Sequence, residues 1–268
     1  MRVGLVQSAP VAGDVAANLD GCLSYLTQAG DAGCDLVVFP ECALSGYMFE
    51  DREQARSAAV PVPGDVVSRL LAQCRRLGLH CVVGVLVADD RELWNSALLL
   101  GPGELIGRYD KTHIPPLGVD RFVAPGQRPY QVHQTALGQI GMQICYDWRF
   151  PEVTRTLALA GAELVAMPTC SPLSSGELAD HIPRTRAVEN AVFFAMANQI
   201  GTAGAVTFLG RSQVIDPGGQ RLVDAGGREG IVMADIDLSQ ARRKDREQGG
   251  GLYELQIMKD RRPDLYRL

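Results

Sequence analysis

One cysteine in the sequence has the surroundings of a nucleophile. In residues 138–152 an apolar, strand-like run reaches Cys145, and a turn and Pro151 then predict the start of a helix. A thiol at the end of a buried strand faces the backbone N–H groups that follow it, and these groups can receive negative charge from a carbonyl oxygen. Because an ordinary thiol is only a few per cent ionised at neutral pH, Cys145 also requires a base and a cation.

Two charged residues earlier in the chain can meet this requirement. Glu41 follows the apolar run 36–39, and Lys111 follows the predicted strand 104–109 and precedes a proline-rich loop. Taken singly, Glu41 also fits a helix cap or a surface turn, and Lys111 also fits a solvated charge. Functional groups of α/β proteins gather at the carboxyl ends of strands, so we predict that both side chains converge on Cys145.

Alternating strands and helices surround these residues, which predicts a single α/β domain over residues 1–268. The strand and helix order runs once before Lys111 and again after Cys145, although the two halves share no residue pattern. The predicted strands are residues 2–7, 36–39, 81–87, 93–100, 104–109, 131–132, 139–145, 163–168, 193–198, 205–208, 213–215 and 230–236. The predicted helices are residues 16–29, 65–77, 151–160, 178–192 and 239–247.

Composition narrows the class of protein. The 268 residues are 46% hydrophobic, enough for a large core, and the net charge of -5 with scattered Lys and Arg does not favour nucleic-acid binding. No apolar run approaches the ~20 residues of a membrane span. The first residues also lack the apolar run of a secretory leader. We therefore expect a cytoplasmic protein that binds neither nucleic acid nor membrane.

The cysteines and histidines do not predict a disulfide framework or a metal site. Seven cysteines are an odd number without a C-x-x-C pair, and the four histidines are scattered. Cys42 and Cys170 border segments that we place near Cys145, so their roles stay open. The other four are predicted to pack as small hydrophobic side chains, namely Cys22, Cys34, Cys74 and Cys81.

Three motifs in order resemble those of the nitrilase, or carbon–nitrogen hydrolase, superfamily. Phe39-Pro40-Glu41 is similar to its glutamate motif, residues 107–115 around Lys111 to its lysine motif, and residues 145–152 to its cysteine motif. The resemblance covers nearly the whole chain. Further similar segments are Arg186-Ala187-Val188-Glu189-Asn190, Asn198, Gly210-Arg211-Ser212, Asp216-Pro217-Gly218 and residues 260–266.

This resemblance implies a four-layer αββα sandwich and catalysis without metal or organic cofactor. Glu41 would be the general base, Cys145 the nucleophile that forms a thioester, and Lys111 with the Tyr146 backbone N–H the oxyanion donors. The family also implies a homodimer or a higher homo-oligomer. We expect helix 178–190 and the tail, residues 250–268, at the subunit contact.

One position departs from the family pattern. The family often has a second glutamate six residues before the proline of a Pro-Gly pair, here Pro125-Gly126, but that position holds Val119. Asp120 follows it and can take the role after a small loop shift, or it can pair with Arg121. Catalytic support by Asp120 is therefore an open alternative.

The residues after Cys145 favour one branch of the family. Tyr146-Asp147-Trp148-Arg149 resembles the amidase and Nit-like branches, so we expect a small linear amide to be hydrolysed to an acid and ammonia. The alternatives are an N-carbamoyl hydrolase, a nitrilase, and a catalytically idle binding or scaffold protein. Arg149 either binds substrate or pairs with a nearby carboxylate. The expected substrate-binding residues are Tyr47, Leu117, Trp148, Arg149, Pro172 and His181.

Overall fold

The computed structural model describes residues 1–248 and 250–266 and contains two mixed six-stranded sheets. The strands are β1 (Arg2–Gln7), β2 (Leu36–Val38), β3 (His80–Ala88), β4 (Leu93–Leu100), β5 (Leu105–Asp110), β6 (Val132–Gln134), β7 (Gln139–Met142), β8 (Leu164–Thr169), β9 (Phe193–Asn198), β10 (Ile200–Ala203), β11 (Val206–Leu209), β12 (Gln213–Ile215), β13 (Arg221–Asp224), β14 (Gly230–Asp235), β15 (Arg246–Gln248) and β16 (Tyr253–Leu255). The helices are α1 (Val15–Asp31), α2 (Arg52–Ser57), α3 (Asp65–Leu77), α4 (Pro151–Leu159), α5 (Gly176–Asn190) and α6 (Ser239–Arg242).

The two sheets have the same arrangement of strands. The first has the order β14-β1-β2-β3-β4-β5 and the second β13-β12-β9-β8-β7-β6. In each sheet a central parallel group is flanked by antiparallel strands, with β1, β2 and β3 parallel in the first and β7, β8 and β9 parallel in the second. The repeated strand and helix order in the sequence therefore corresponds to two similar halves.

Four layers follow from the way in which the apolar faces pack. One hydrophobic core lies between the sheets and contains Leu5 and Val82 of the first sheet with Ile140 and Phe193 of the second. A second core joins α1 and α3 to the first sheet, and a third joins α4 and α5 to the second. Strands buried on both faces explain the continuous apolar runs in the sequence. The predicted αββα sandwich is confirmed.

Local signals position the helices around the sheets. Asp14 caps α1 by accepting a hydrogen bond from the backbone N–H of Ala17, and Pro151 begins α4 at the position where its missing N–H costs nothing. The unit β7, α4, β8 is the predicted βαβ unit, because β7 and β8 are parallel neighbours. This unit carries Cys145 in the connection between its first strand and its helix.

The C-terminal part differs from the prediction. The helix predicted over residues 239–247 ends at Arg242, because Arg243 is extended and residues 246–248 form β15, which pairs with β16. The helix α2 and the strands β10, β13, β15 and β16 were not predicted, since each is short and lacks a clear apolar period. Among the described residues, every helix is too short or too polar to cross a bilayer.

Candidate active site

The predicted residues converge where the two sheets meet. Glu41 lies three residues beyond the end of β2, and Lys111 directly follows β5. Cys145 lies three residues beyond the end of β7. It begins a 3-10 helix that extends to Arg149. The backbone N–H of Glu41 donates to the carbonyl of Thr169, the last residue of β8, at 3.4 Å. The first sheet therefore supplies the carboxylate and the ammonium, and the second supplies the thiol.

Glu41 is fully buried and has hydrogen-bond partners on both oxygens. Its Oε1 accepts from Asn95 Nδ2 and from Lys111 Nζ, each at 2.7 Å. Its Oε2 accepts from the thiol of Cys170, at 2.6 Å. Gly84 lies under the Glu41 backbone, where an added Cβ would be 2.7 Å from the Glu41 Cα. The carboxylate is thus held in one orientation.

Lys111 is buried between two carboxylates. Its ammonium forms ion pairs with Glu41 and with Asp120, and both side chains are fully buried. Asp120 also accepts from Asn95 Nδ2 at 2.9 Å and from the Tyr47 hydroxyl at 2.8 Å. The structure therefore places Asp120 in the cluster, and the alternative of a pair with Arg121 is wrong: Arg121 donates to backbone carbonyls instead.

Cys145 occupies a strained turn beside this cluster. Its φ of +42° lies in the left-handed region, which is unfavourable for residues other than glycine. Ligand atoms of Cys145, Glu41 and Cys170 all lie within 4.8 Å of one another. Cys145 is partly exposed, whereas Glu41 and Cys170 are buried. The strained turn therefore places the sulfur of a partly exposed residue beside the buried carboxylate.

The turn is anchored by Asp147, which the sequence analysis did not single out. Its Oδ2 accepts from the backbone N–H of Ile144 at 2.9 Å and from the Tyr109 hydroxyl at 2.8 Å, and its Oδ1 lies 2.8 Å from His113 Nδ1. The backbone N–H of Tyr146 belongs to the first turn of the 3-10 helix, where N–H groups lack intrahelical acceptors. That N–H is therefore suited to bind an anion next to Cys145.

The surroundings lower the pKa of Cys145 and raise those of Glu41 and Lys111. The Cys170 thiol has one proton, which it donates either to Glu41 or to Cys145. Donation to Cys145 and the positive charge of Lys111 lower the pKa of Cys145 to about 5, against the effect of burial. Burial and the negative charge of Cys145 raise the pKa of Glu41 to about 7. Burial alone would lower the pKa of Lys111, but the two carboxylates outweigh it, and the pKa lies well above its usual value. The cluster therefore favours a thiolate beside an ammonium.

Three of the expected substrate-binding residues lie near the cluster. Tyr47 packs with Cys170 and Phe208 in an apolar group, against which Leu117 and Cys145 also pack. The Leu117 carbonyl lies 2.9 Å from the Tyr47 hydroxyl. Pro172 is two residues beyond Cys170 and forms a bridge with Phe208 of β11. Tyr47, Phe208 and Leu117 therefore belong to the apolar group against which Cys145 packs.

The other three are placed elsewhere. Trp148 packs in the core between α4, α5 and the second sheet, because its ring is needed there to fill space. Arg149 is exposed and pairs with no carboxylate among residues 1–248 and 250–266, so its expected pairing is wrong. His181 is 75% exposed, lies 3.8 Å from Glu177, and lines a surface depression with Arg184 and Gly219. None of these three side chains contacts Glu41 or Lys111.

Asn95 and Cys170 contact Glu41 directly but were missed or left open by the sequence analysis. Asn95 lies inside β4, where an isolated amide gives no sequence signal. Cys170 directly follows β8, just as Lys111 directly follows β5, so its position at a strand end is the signal that could have identified it. Glu41, Cys145 and Cys170 are also the one group in the described part of the chain with the spacing of metal ligands. The Lys111 ammonium, 2.7 Å from Glu41, opposes a cation there.

Comparisons with known proteins agree with this geometry. A family model described as carbon-nitrogen hydrolase matches residues 2–246. The nitrilase of Pyrococcus abyssi (strain GE5 / Orsay) is 33% identical over 272 residues, which cover 99% of each chain. The (R)-stereoselective amidase of Pseudomonas sp is 34% identical over 249 residues, covering 91% of this chain and 89% of the relative.

A solved structure gives the same result. It is a mutant of the amidase from Nesterenkonia sp. AN1, in which the acetamide moiety of fluoroacetamide has added covalently at the active site cysteine. Its TM-score is 0.82 at 27% identity, and the match covers 99% of this chain and 95% of that chain. That amidase is from the nitrilase superfamily. From its motifs, its fold and the family match over residues 2–246, the chain belongs to the carbon-nitrogen hydrolase family.

Proposed function

We propose that the protein hydrolyses a small linear amide to a carboxylic acid and ammonia through a thioester on Cys145. The observation that carries the proposal is the approach of the Cys145 sulfur to the Glu41 carboxylate, within 4.8 Å, with the Lys111 ammonium 2.7 Å from the same carboxylate. A nucleophile, a proton acceptor and a cation are thus within reach of one carbonyl group.

The first half of the reaction forms the thioester. Glu41 takes the proton of Cys145, and the sulfur attacks the amide carbon. Lys111 and the Tyr146 backbone N–H stabilise the negative charge on oxygen, and loss of one such donor typically costs about 10²–10³ in rate. Glu41 then gives the proton to the amide nitrogen, the C–N bond breaks, and ammonia leaves.

The second half releases the acid. Glu41 removes a proton from a water molecule that attacks the thioester carbon, and the C–S bond breaks as Cys145 leaves. Asp120 supports this chemistry as a positioning residue, because it pairs with Lys111 and shares the Asn95 amide with Glu41. No organic cofactor enters these steps.

An amide substrate is favoured over the alternatives by the branch motif and by the relatives named as amidases. Because one relative is named a nitrilase, a nitrile is the second candidate substrate. Arg149 is exposed and has no ion-pair partner in the described part of the chain, so it offers no buried site for the carboxylate of an N-carbamoyl amino acid. The partly exposed thiol beside three buried charged groups disfavours an idle scaffold, whose function would not require that charge cluster.

The test is ammonia release from a panel of small aliphatic amides, with the matching nitriles and N-carbamoyl compounds as controls. We expect amides to be hydrolysed and Cys145→Ala to lose at least about 10⁴-fold in kcat. If Cys145→Ala hydrolyses amides as fast as the parent protein, the proposal is overturned. Alkylation separates a scaffold from an enzyme, because a scaffold would label Cys145 no faster than buried Cys22.

We further propose a homodimer or a larger homo-oligomer with α5 and the tail at the contact. Support comes from large apolar side chains that are exposed near the C-terminus, namely Leu252, Tyr253, Leu255, Leu265 and Tyr266. Residues 267 and 268 of the expected tail lie outside the described residues. Sedimentation should give at least twice the mass of one chain, and a stable monomer would refute this proposal.

A further inference from the structure

Cys170 has no assigned part in amide hydrolysis, yet it lies beside the reactive thiol. The Cys145 and Cys170 sulfurs lie within 4.8 Å of each other, and the Cys170 thiol donates to Glu41 Oε2. We propose that Cys170 is the resolving cysteine for oxidised Cys145, so that a hydroperoxide converts the pair to a reversible disulfide and stops turnover. This concerns oxidation of the protein and goes beyond the proposed function.

The two cysteines follow neighbouring parallel strands. Met142 of β7 pairs with Ala166 of β8, and the cysteines follow these residues by three and four positions. The sulfurs lie within 4.8 Å of each other and must approach to ~2.05 Å for an S–S bond to form.

Exposure and charge determine which sulfur reacts first. Cys145 is partly exposed, and the Cys170 hydrogen bond and Lys111 lower its pKa to about 5. Cys170 is only 1% exposed, and burial raises its pKa well above the usual value. A peroxide therefore meets a thiolate at Cys145 and a protected thiol at Cys170.

The reaction balances with the peroxide as the oxidant. The Cys145 thiolate attacks one peroxide oxygen, the O–O bond breaks, and neutral Glu41 gives its proton to the departing hydroxide or alkoxide. The products are a sulfenic acid, water or an alcohol, and the Glu41 carboxylate. Glu41 then removes the Cys170 proton, and the Cys170 sulfur attacks the Cys145 sulfur. The S–S bond forms, the S–O bond breaks, and the departing hydroxide takes that proton from Glu41 as water. Two thiols are oxidised by two electrons, and the peroxide is reduced by two.

A second cysteine pair serves as an internal comparison. The sulfurs of Cys74 and Cys81 are only 3.7 Å apart, but both are buried. The hydrogen bond with Cys74 and burial raise the pKa of Cys81 well above its usual value. Because both thiols are buried away from the peroxide, this pair should stay reduced under conditions that link Cys145 to Cys170.

The test is hydrogen peroxide treatment of the whole protein, alkylation of the remaining thiols, and a peptide map by mass spectrometry without reductant. We expect a linked peptide pair containing Cys145 and Cys170, a loss of hydrolysis in proportion to it, and full recovery with dithiothreitol. Cys42→Ser, which removes another buried thiol near Glu41, should still form the link. Cys170→Ala should instead give the sulfinic or sulfonic acid of Cys145 without recovery.

The proposal is overturned if the parent forms that overoxidised Cys145 without a linked pair, or if Cys74 and Cys81 link first. The peptide maps of the parent and of Cys42→Ser test the proposed disulfide even if Cys170→Ala does not fold. Because the readout is a mass and requires no amide, a linked pair in a protein that hydrolyses no amide would refute only the proposed function.

Discussion

The Asn95 side-chain amide lies 2.7 Å from Glu41 Oε1 and 2.9 Å from Asp120 Oδ1, so one NH₂ group holds both carboxylates around Lys111. Its oxygen accepts from the thiol of Cys42 at 3.7 Å. Asn95 is buried and lies inside a strand. The geometry of the proposed base therefore depends on a residue that has no chemical role of its own.

Replacing Asn95 by Leu should lower kcat without a matching rise in KM. Hydrogen bonds to charged groups contribute about 1.5–3 kcal/mol, so we expect a loss of roughly 10–100-fold in kcat. Steady-state kinetics on the best amide of the panel measures it. The control is Asn18→Leu, which removes a buried asparagine with partners at Val11 and Leu44 and should reduce stability alone. Equal kcat in both variants would contradict this role for Asn95.

The pH profile should reflect the opposite pKa shifts of Cys145 and Glu41. Between about 5 and about 7 the pair holds one proton, which resides on Glu41, so the nucleophile is a thiolate and the neutral carboxyl is the acid for the leaving group. Below this range the thiolate is lost, and above it the acid is lost.

We therefore expect a bell-shaped profile of kcat/KM with apparent pKa values that belong to the pair. Alkylation of Cys145 should rise through the lower value alone, because it requires the thiolate and no acid. A rate of alkylation that rises only near the pKa of about 8.5 of a free thiol would contradict the assignment.

Replacing Arg149 by Ala should change neither activity nor stability appreciably. The side chain is exposed and has no ion-pair partner within the described residues, and surface substitutions of this kind usually stay within about 0.5 kcal/mol. Amide kinetics and thermal unfolding measure both effects. A large rise in KM for an N-carbamoyl amino acid, with amide kinetics unchanged, would instead assign the carboxylate of that substrate to Arg149.

Replacing Gly84 by Ala should displace Glu41. The new Cβ would lie 2.5 Å from the Cys42 nitrogen and 2.7 Å from the Glu41 Cα, which are backbone atoms that cannot rotate away. Overpacking of this kind costs about 1–3 kcal/mol of stability, and the shift of Glu41 should lower kcat by at least about tenfold. Gly103→Ala is the matched control, since its Cβ meets nothing within 4 Å. Similar kcat values for both variants would show that the contact at Gly84 is tolerated.

The sequence predicted the residues that lie in local motifs and missed those that depend on pairing between strands. Glu41, Lys111 and Cys145 each follow a strand, so the shared rule for strand ends was enough to bring them together. Asn95 reaches Glu41 only because β4 lies between β3 and β5 in the sheet, which no local pattern specifies. Cys170 stayed open for the same reason.

The αββα layers were predicted because long apolar runs and amphipathic helices alternate along the chain. Residues 239–247 were predicted as a helix from charge and length, but only the first four are helical, because pairing with β16 makes residues 246–248 extended. Trp148 was expected near substrate from its position after Cys145, yet the 3-10 helix turns its ring into the core. Short elements and side-chain direction depend on tertiary packing.

The proposed base and nucleophile follow strands of opposite sheets, so the distance between them depends on how the two sheets pack. The core between the sheets includes small side chains from both, namely Ala195 and Ala166 of the second sheet and Val38 and Ala97 of the first. The separation of the reactive groups therefore depends on the size of core side chains that do not contact a substrate. A redesigned active site on this fold must preserve the volume of its interior as strictly as the identity of Glu41, Lys111 and Cys145.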